Sequence, residues 1–329
     1  MCAVHRMGCG VERIARLDPS STEPGGVAQR PSLGRALSRR FRSNRRLSVL
    51  TTLSPPVLWM LVIYIASLVS LVLAALFKLD PKSQKPTTDF TLDNIRDAFT
   101  NGTVLTVVAR TVAIAAGVTV LCFLIALPTA YFIAKVAPIW IRRGLIVSML
   151  LPLWAGYLVK GYAWRAMLSP GSDNKFAAAG RGGGGFLKSV FGWTPGFGTT
   201  GVVIALAYLW VPFMVLPIYA GLERLPTSLL DASGDLGARP FRTFRSVIMP
   251  LMLPSIAAGS IFTFSLSLGD YIVPQLVTDG KQRVMFGTFI NSTLGAPNQP
   301  LAAAYTLWPL AIITVYLFAM KRAGAFENL

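Results

Sequence analysis

The chain has 329 residues, 53% of them hydrophobic and only 14% charged. A soluble domain carries about 25% charged residues, so this balance excludes an ordinary soluble domain and points to a protein that crosses a membrane several times. The net charge of +17 comes with one histidine and three cysteines, which exclude a multi-histidine metal centre within one chain and a cysteine redox pattern.

Residues 1–50 hold ten Arg, no Lys and three acids. A basic run of this kind can serve nucleic acid. Beside a membrane segment it instead retains the chain end in the cytoplasm and draws it to anionic lipid, with about 1 kcal/mol per charge near the surface. We therefore expect a poorly ordered basic cytoplasmic tail over 1–50, partnered by the lipid bilayer and not by nucleic acid, and a membrane domain over 51–329.

A helix of about 20 apolar residues crosses the hydrocarbon. Residues 57–77 provide one without a charge. Their length exceeds the roughly 7–15 residues of a signal-peptide core, so an uncleaved span is predicted. Further spans are predicted over 112–134, 144–168, 199–219, 250–273 and 301–320, six in all. Cys122, in the second, reads as a small buried hydrophobe.

Lys and Arg sit close to span ends in the tail, in 135–143, in 224–245 and at Lys321 and Arg322. The 78–102 loop balances four basic residues against four acidic ones, and loops 169–198 and 277–300 hold few charges for their length. The positive-inside bias then puts both termini in the cytoplasm, with Arg110 as an exception. Pro128, Pro152, Pro212, Pro217, Pro250 and Pro254 lie in or at the spans. They fit helices packed around a pathway, and equally the ordinary kinking of membrane helices.

The glycine run 180–185 makes loop 169–198 a flexible stretch. It is not read as a phosphate loop, because Leu187 stands where a Gly must precede Lys188. A short amphipathic piece is expected over 186–191.

Loop 221–249 is longer than the roughly 2–8 residues that join packed helices. Thr227 or Ser228 can cap a helix through Leu229, Leu230 and Ala232. Gly237 then turns the chain at low steric cost, and Pro240 suits the first turn of a second helix. Phe241, Phe244 and Ile248 mark one face of that helix; Arg239, Arg242 and Arg245 mark another. Asp231 is expected near a helix N-terminus, favoured by the dipole and able to pair with an Arg. The residues alone suit an amphipathic helix lying on lipid or a docking element.

The same stretch resembles the cytoplasmic EAA loop of binding-protein-dependent ABC import permeases. That pattern has Glu-Ala-Ala, a Gly after a three-residue gap, then Ile-x-Leu-Pro; here Asp231, Ala232, Ser233, Gly237, Val247, Met249 and Pro250 stand at those positions, four of them conservative changes. Leu151-Pro152-Leu153-Trp154 with the stretch 157–164, Phe213-Met214-Val215-Leu216-Pro217 with Leu222-Glu223-Arg224, and Gly269-Asp270-Tyr271-Ile272-Val273-Pro274 are similar to the spermidine/putrescine permease branch, as is Thr91-Leu92-Asp93-Asn94. The likeness spans roughly residues 57–320.

The resemblance implies the type I ABC importer permease fold: all-α, six transmembrane helices, both termini cytoplasmic, in the inner membrane of a prokaryote. It implies that 221–249 couples to ABC ATPase subunits, two of them, with Asp231, Ala232 and Gly237 at the core of the contact and Ser233, Arg239, Phe241 and Pro250 beside them. ATP and Mg would sit on those partners, with no cofactor on this chain. A second related permease chain and an extracytoplasmic solute-binding protein are implied too, with spermidine or putrescine as solute, or alternatively another small solute.

Asp270 is the acid inside an apolar run. An unpaired charge at mid-membrane costs at least about 2.5–3.5 kcal/mol, which makes it a candidate for the pathway or a gate. It lies 20 residues after Pro250, about 30 Å along a helix, toward the outer end. The alternatives are a solvated interfacial acid or a helix cap before Pro274. Lys160 and Arg165 can snorkel to the interface or pair with Asp270. Trp154, Tyr157, Tyr162, Trp164 and Tyr271 can cradle a cation through their ring faces or form an interfacial belt.

No Gly-x-x-x-x-Gly-Lys-Ser/Thr loop occurs, so the chain is not expected to hydrolyse ATP. An intramembrane enzyme lacks a nucleophile–base pair, because no histidine lies in the spans. An ion-coupled secondary transporter remains the rival, and it predicts inverted repeats; none is visible.

Overall fold

The computed structural model of the chain describes residues 45–80, 86–169, 186–278, 285–295 and 298–322. The tail up to residue 44 and the glycine run 180–185 lie outside the described residues. The chain divides into two compact units, 1–65 and 66–329. The described residues of the first unit are helical and begin α1, Arg45–Leu76, whose segment Leu53–Leu76 is long and apolar enough to cross a membrane.

In the second unit a small sheet interrupts the expected all-helical chain. β1, Phe77–Leu79, pairs antiparallel with β2, Pro86–Phe90. Phe77 lies opposite Phe90 with ring centroids 5.7 Å apart, the kind of cross-strand aromatic pair that stabilises a hairpin. Asn94 anchors its base, donating to the carbonyls of Ala75 at 3.0 Å and Phe77 at 2.8 Å. Asn94 belongs to α2, Asp93–Thr100.

α3, Gly102–Tyr131, is capped by Asn101, whose side chain accepts from the Thr103 N–H at 3.0 Å. The second span therefore starts well before residue 112; its polar first turns concealed it. It continues through a π-turn, Phe132–Val136. The third predicted span is not one straight helix. α4, Ile139–Trp154, and α5, Tyr157–Leu168, meet at 94°. Pro152 removes a backbone donor near the break and disrupts the last turn, and Ala155 is extended, with ψ 133°.

The short helix expected over 186–191 is present as α6, Phe186–Phe191. α7, Thr199–Arg224, precedes α8, Thr227–Asp235. α9, Pro240–Thr243, runs through a second π-turn, Phe244–Ile248, into α10, Met249–Gly269. The fifth span thus begins at Pro240 and not at Pro250. α11, Ile272–Val277, and α12, Phe286–Leu294, follow. α13, Gln299–Tyr305, and α14, Leu307–Arg322, share the last span. Among the described residues five helices are long and apolar enough to cross a membrane, and the bent α4–α5 pair makes six.

α7 forms the centre. Its Leu206, Met214, Ile218 and Leu222 are wholly buried with Val118, Cys122 and Ala126 of α3 and Met252 of α10. Lipid tails are as apolar as these side chains, so close packing and not hydrophobic exclusion holds such helices together. α7 and α10 touch at two glycines. A Cβ on Gly221 would lie 2.2 Å from Ser255 Oγ, and one on Gly259 would lie 2.7 Å from Met214 Sδ. A second cluster gathers Ala98, Val104, Phe286, Phe289 and Tyr305, pinned by the Trp308 indole donating to the Ala98 carbonyl at 2.9 Å.

Candidate functional site

The loop between α7 and α10 is a folded elbow. α8 starts at Thr227 with Pro226 as its N-cap and no side-chain cap, so neither Thr227 nor Ser228 plays the expected capping role. Gly237 ends the helix turn with φ +73°, a left-handed conformation that favours glycine. Its N–H donates to Gly234 and the Ala238 N–H to Ser233, at 2.8 and 3.0 Å. Pro240 occupies the first turn of α9, as its fixed φ favours.

Ser233 is buried, and its hydroxyl lies 2.8 Å from that of Thr243. This contact ties the two arms of the elbow. Asp231, Ala232, Gly237, Arg239, Phe241 and Pro250 are all exposed. Asp231 sits in the second turn of α8, and among the described residues no Arg comes within ion-pair distance of it. Leu236 is 88% exposed and Phe241 74% exposed, two bare apolar tips flanking Gly237. The expected alignment of Phe241 with Phe244 and Ile248 fails. Phe244 packs on the core and Ile248 is buried, whereas Phe241 points outward. A π-turn adds a residue to the helix repeat and rotates the faces on either side of it.

Of the other candidate residues, Asp270 and Tyr157 come together where α5 meets α11. Asp270 is buried just past the end of α10. One carboxylate oxygen accepts from the N–H groups of Ile272 at 3.0 Å and Val273 at 3.4 Å, and the other accepts from the Tyr157 hydroxyl at 2.5 Å. Asp270 thus starts α11 and joins it to the first residue of α5. Arg165 donates to the Leu276 carbonyl at 3.3 Å. Lys160 is half-buried.

The aromatic residues divide. Tyr157 stacks on Trp210 with centroids 6.1 Å apart, and Trp164 tilts against Tyr208 at 5.4 Å. Trp154, at 90% exposure, Tyr162 and Tyr271 face outward. An apolar cleft of about 410 Å³ lies between α3, α4 and α7, lined among others by Ile125, Met149, Pro152, Trp164 and Tyr208.

Residues 32–323 match the family described as binding-protein-dependent transport system inner membrane component. The chain belongs to this family. It is similar to the inner membrane ABC transporter permease protein YdcU of Escherichia coli (strain K12), 40% identical over 91% of this chain and 97% of that protein. It is also similar to the spermidine/putrescine transport system permease protein PotB of Haemophilus influenzae, 28% identical over 72% of this chain and 81% of that protein. A solved bacterial alginate ABC transporter, in complex with an alginate pentasaccharide-bound periplasmic protein, contains a chain of the same fold. The TM-score is 0.61 at 16% identity, over 88% of this chain and 99% of that one.

The protein is thus the non-catalytic, multi-pass transmembrane subunit of an ABC importer of the inner membrane. Sequence reasoning missed several polar contacts that hold the permease elbow in place. Lys135, on the first π-turn, donates to the Leu225 carbonyl at 3.1 Å, one of the orphan acceptors at the end of α7. Arg142 donates to the Tyr219 hydroxyl at 2.9 Å and forms a salt bridge with Glu223. The Lys and Arg of 135–143 were legible as a charge cluster, but nothing in the sequence paired them with residues 77 to 90 positions away.

Proposed function

We propose that the elbow of this permease docks an ABC ATPase and that the importer carries a polyamine. The carrying observation is the elbow itself. Two exposed apolar tips, Leu236 and Phe241, flank a left-handed glycine, while Ser233 and Thr243 lock the arms behind them. An exposed, rigid apolar pair is what a complementary groove can bury. Asp231, Ala232 and Gly237 form the middle of this surface, with Arg239 on its rim; Ser233 supports it from within, and Pro250 lies beyond it in the first turn of α10.

In this reading ATP and Mg belong to two ATPase subunits, and this chain holds no cofactor. The elbow faces the cytoplasm, which places both termini there by the positive-inside bias. A second related permease chain completes the pathway, and a solute-binding protein delivers the solute outside. The spermidine/putrescine permeases among the relatives support the choice of solute. ATP-driven closure shifts the permease between inward- and outward-facing states because the ATPase contacts the two differently.

Copurification tests the dock: the ATPase subunit stays on the wild-type chain and is lost from Gly237→Trp. Thermal shift of the cognate binding protein tests the solute. Stabilisation by spermidine or putrescine is expected, and a response to sulfate, sugars or amino acids alone would replace the polyamine.

A further inference from the structure

α4 is held at its first turns and leads at its other end into the Tyr157–Asp270 junction. None of its residues is buried, and along one side it borders the apolar cleft of about 410 Å³ shared with α3 and α7. At its first turns Arg142 grips the last turns of α7: its side chain donates to the Tyr219 hydroxyl, lies with its guanidinium carbon 5.4 Å from that ring's centroid, and pairs with Glu223. Glu223 is two residues before Leu225, whose carbonyl Lys135 holds, and α8 opens just beyond it. At the far end the chain breaks by 94°, and Tyr157 is fastened to Asp270. Arg142 to Trp154 spans about 18 Å at the helical rise.

α4 is thus gripped by Arg142 at one end and leads, through residues 155–156 past the other, to Tyr157 and its bond to Asp270. We propose that Arg142 is a positioning residue that makes α4 a strut, carrying displacement of the elbow to the Tyr157–Asp270 junction. Coupling between sites is carried by hydrogen-bond networks and rigid secondary elements; α4 is joined to α7 by Arg142 and to α5 by the short 155–156 link. α7 carries the elbow; Arg142 makes α4 follow α7; the junction makes α5 and α11 follow α4. This rests on the reading that an ATPase docks on the elbow.

The test uses the full transporter in nanodiscs, with Cys2, Cys9 and Cys122 replaced and nitroxide labels at Ser228 on α8 and Leu151 on α4. Both positions are exposed. Electron–electron distance measurements are taken without nucleotide and with vanadate-trapped ADP. The wild type is expected to show one narrow distance population in each state. Arg142→Ala is expected to keep its ATPase bound and to spread over several distances, with hydrolysis per transport event raised at least about fivefold, the lower end of typical site coupling. Exchanging the charges, Arg142→Glu with Glu223→Arg, should restore the narrow populations, which a merely destabilised helix would not do. Should Arg142→Ala not assemble, Glu223→Gln at its half-exposed position gives the same reading. Wild-type distances in either single variant, with the ATPase bound, overturn the strut alone. Retention of the ATPase by Gly237→Trp overturns the docking reading alone.

Discussion

The hydroxyl of Ser233 lies 2.8 Å from that of Thr243 and joins the two arms of the elbow across Gly237. Ala stands at this position in the loop pattern that the chain resembles, and Ala would lack the hydroxyl. Ser233→Ala should loosen the elbow by about 1 kcal/mol, the usual net value of one hydrogen bond, without removing any exposed contact. Amide exchange in α8 should quicken while ATPase copurification is kept. Unchanged exchange would mean that the pin holds nothing.

Gly237 adopts φ +73°. A β-branched residue there should cost about 1–2 kcal/mol and should alter the direction in which α9 leaves. Gly237→Val is therefore expected to weaken ATPase retention more than Ser233→Ala does, while the spans keep their melting temperature. A pull-down titration and a thermal melt of the purified permease check the two halves of this expectation.

Both carboxylate oxygens of Asp270 accept hydrogen bonds, one from Tyr157 and the other from two backbone donors. Tyr157→Phe removes one donor to a buried acceptor and should destabilise the chain by about 1–3 kcal/mol. Asp270→Asn keeps an oxygen for the Ile272 and Val273 amides and should be milder than Asp270→Ala. If Asp270 also touches solute, Asp270→Asn will raise the KM for uptake well beyond its effect on melting; an unchanged KM assigns it to the junction only.

Gly221 and Gly259 sit where α7 and α10 approach most closely. Gly221→Val forces Ser255 and Met252 aside, and over-packing of this kind costs about 1–3 kcal/mol. Gly117, which has open space around its Cβ position, is the control: Gly117→Ala should leave the melt unchanged or raise it. Equal melts for the two variants would show that the helix pair is not tightly packed at Gly221.

The spans were legible because apolar length is written directly in composition, and the elbow because Gly237 and Pro240 carry their backbone preferences with them. The break at Ala155 was not, since the apolar run passes through it without a pause; Pro152 marked a kink but not its angle. The phase of Phe241 was lost because a π-turn changes the repeat without changing the residues. Asp270 stood out as a lone acid, yet the choice between gate and cap needed the positions of Tyr157 and the Ile272 amide. The partners Arg142 and Glu223 are 81 residues apart, and no local pattern links them.

No residue of Ile139–Trp154 is fully buried, although Met149 packs on the core and Arg142 on Tyr219. Each outward position on it is consequently a reporter of its surroundings. Where Val147 or Leu151 accepts any greasy replacement, the environment is fluid hydrocarbon; where it refuses added bulk, a second polypeptide is pressed against it. A saturation library along this one helix would therefore map the contour of the neighbouring subunit without a structure of the assembly.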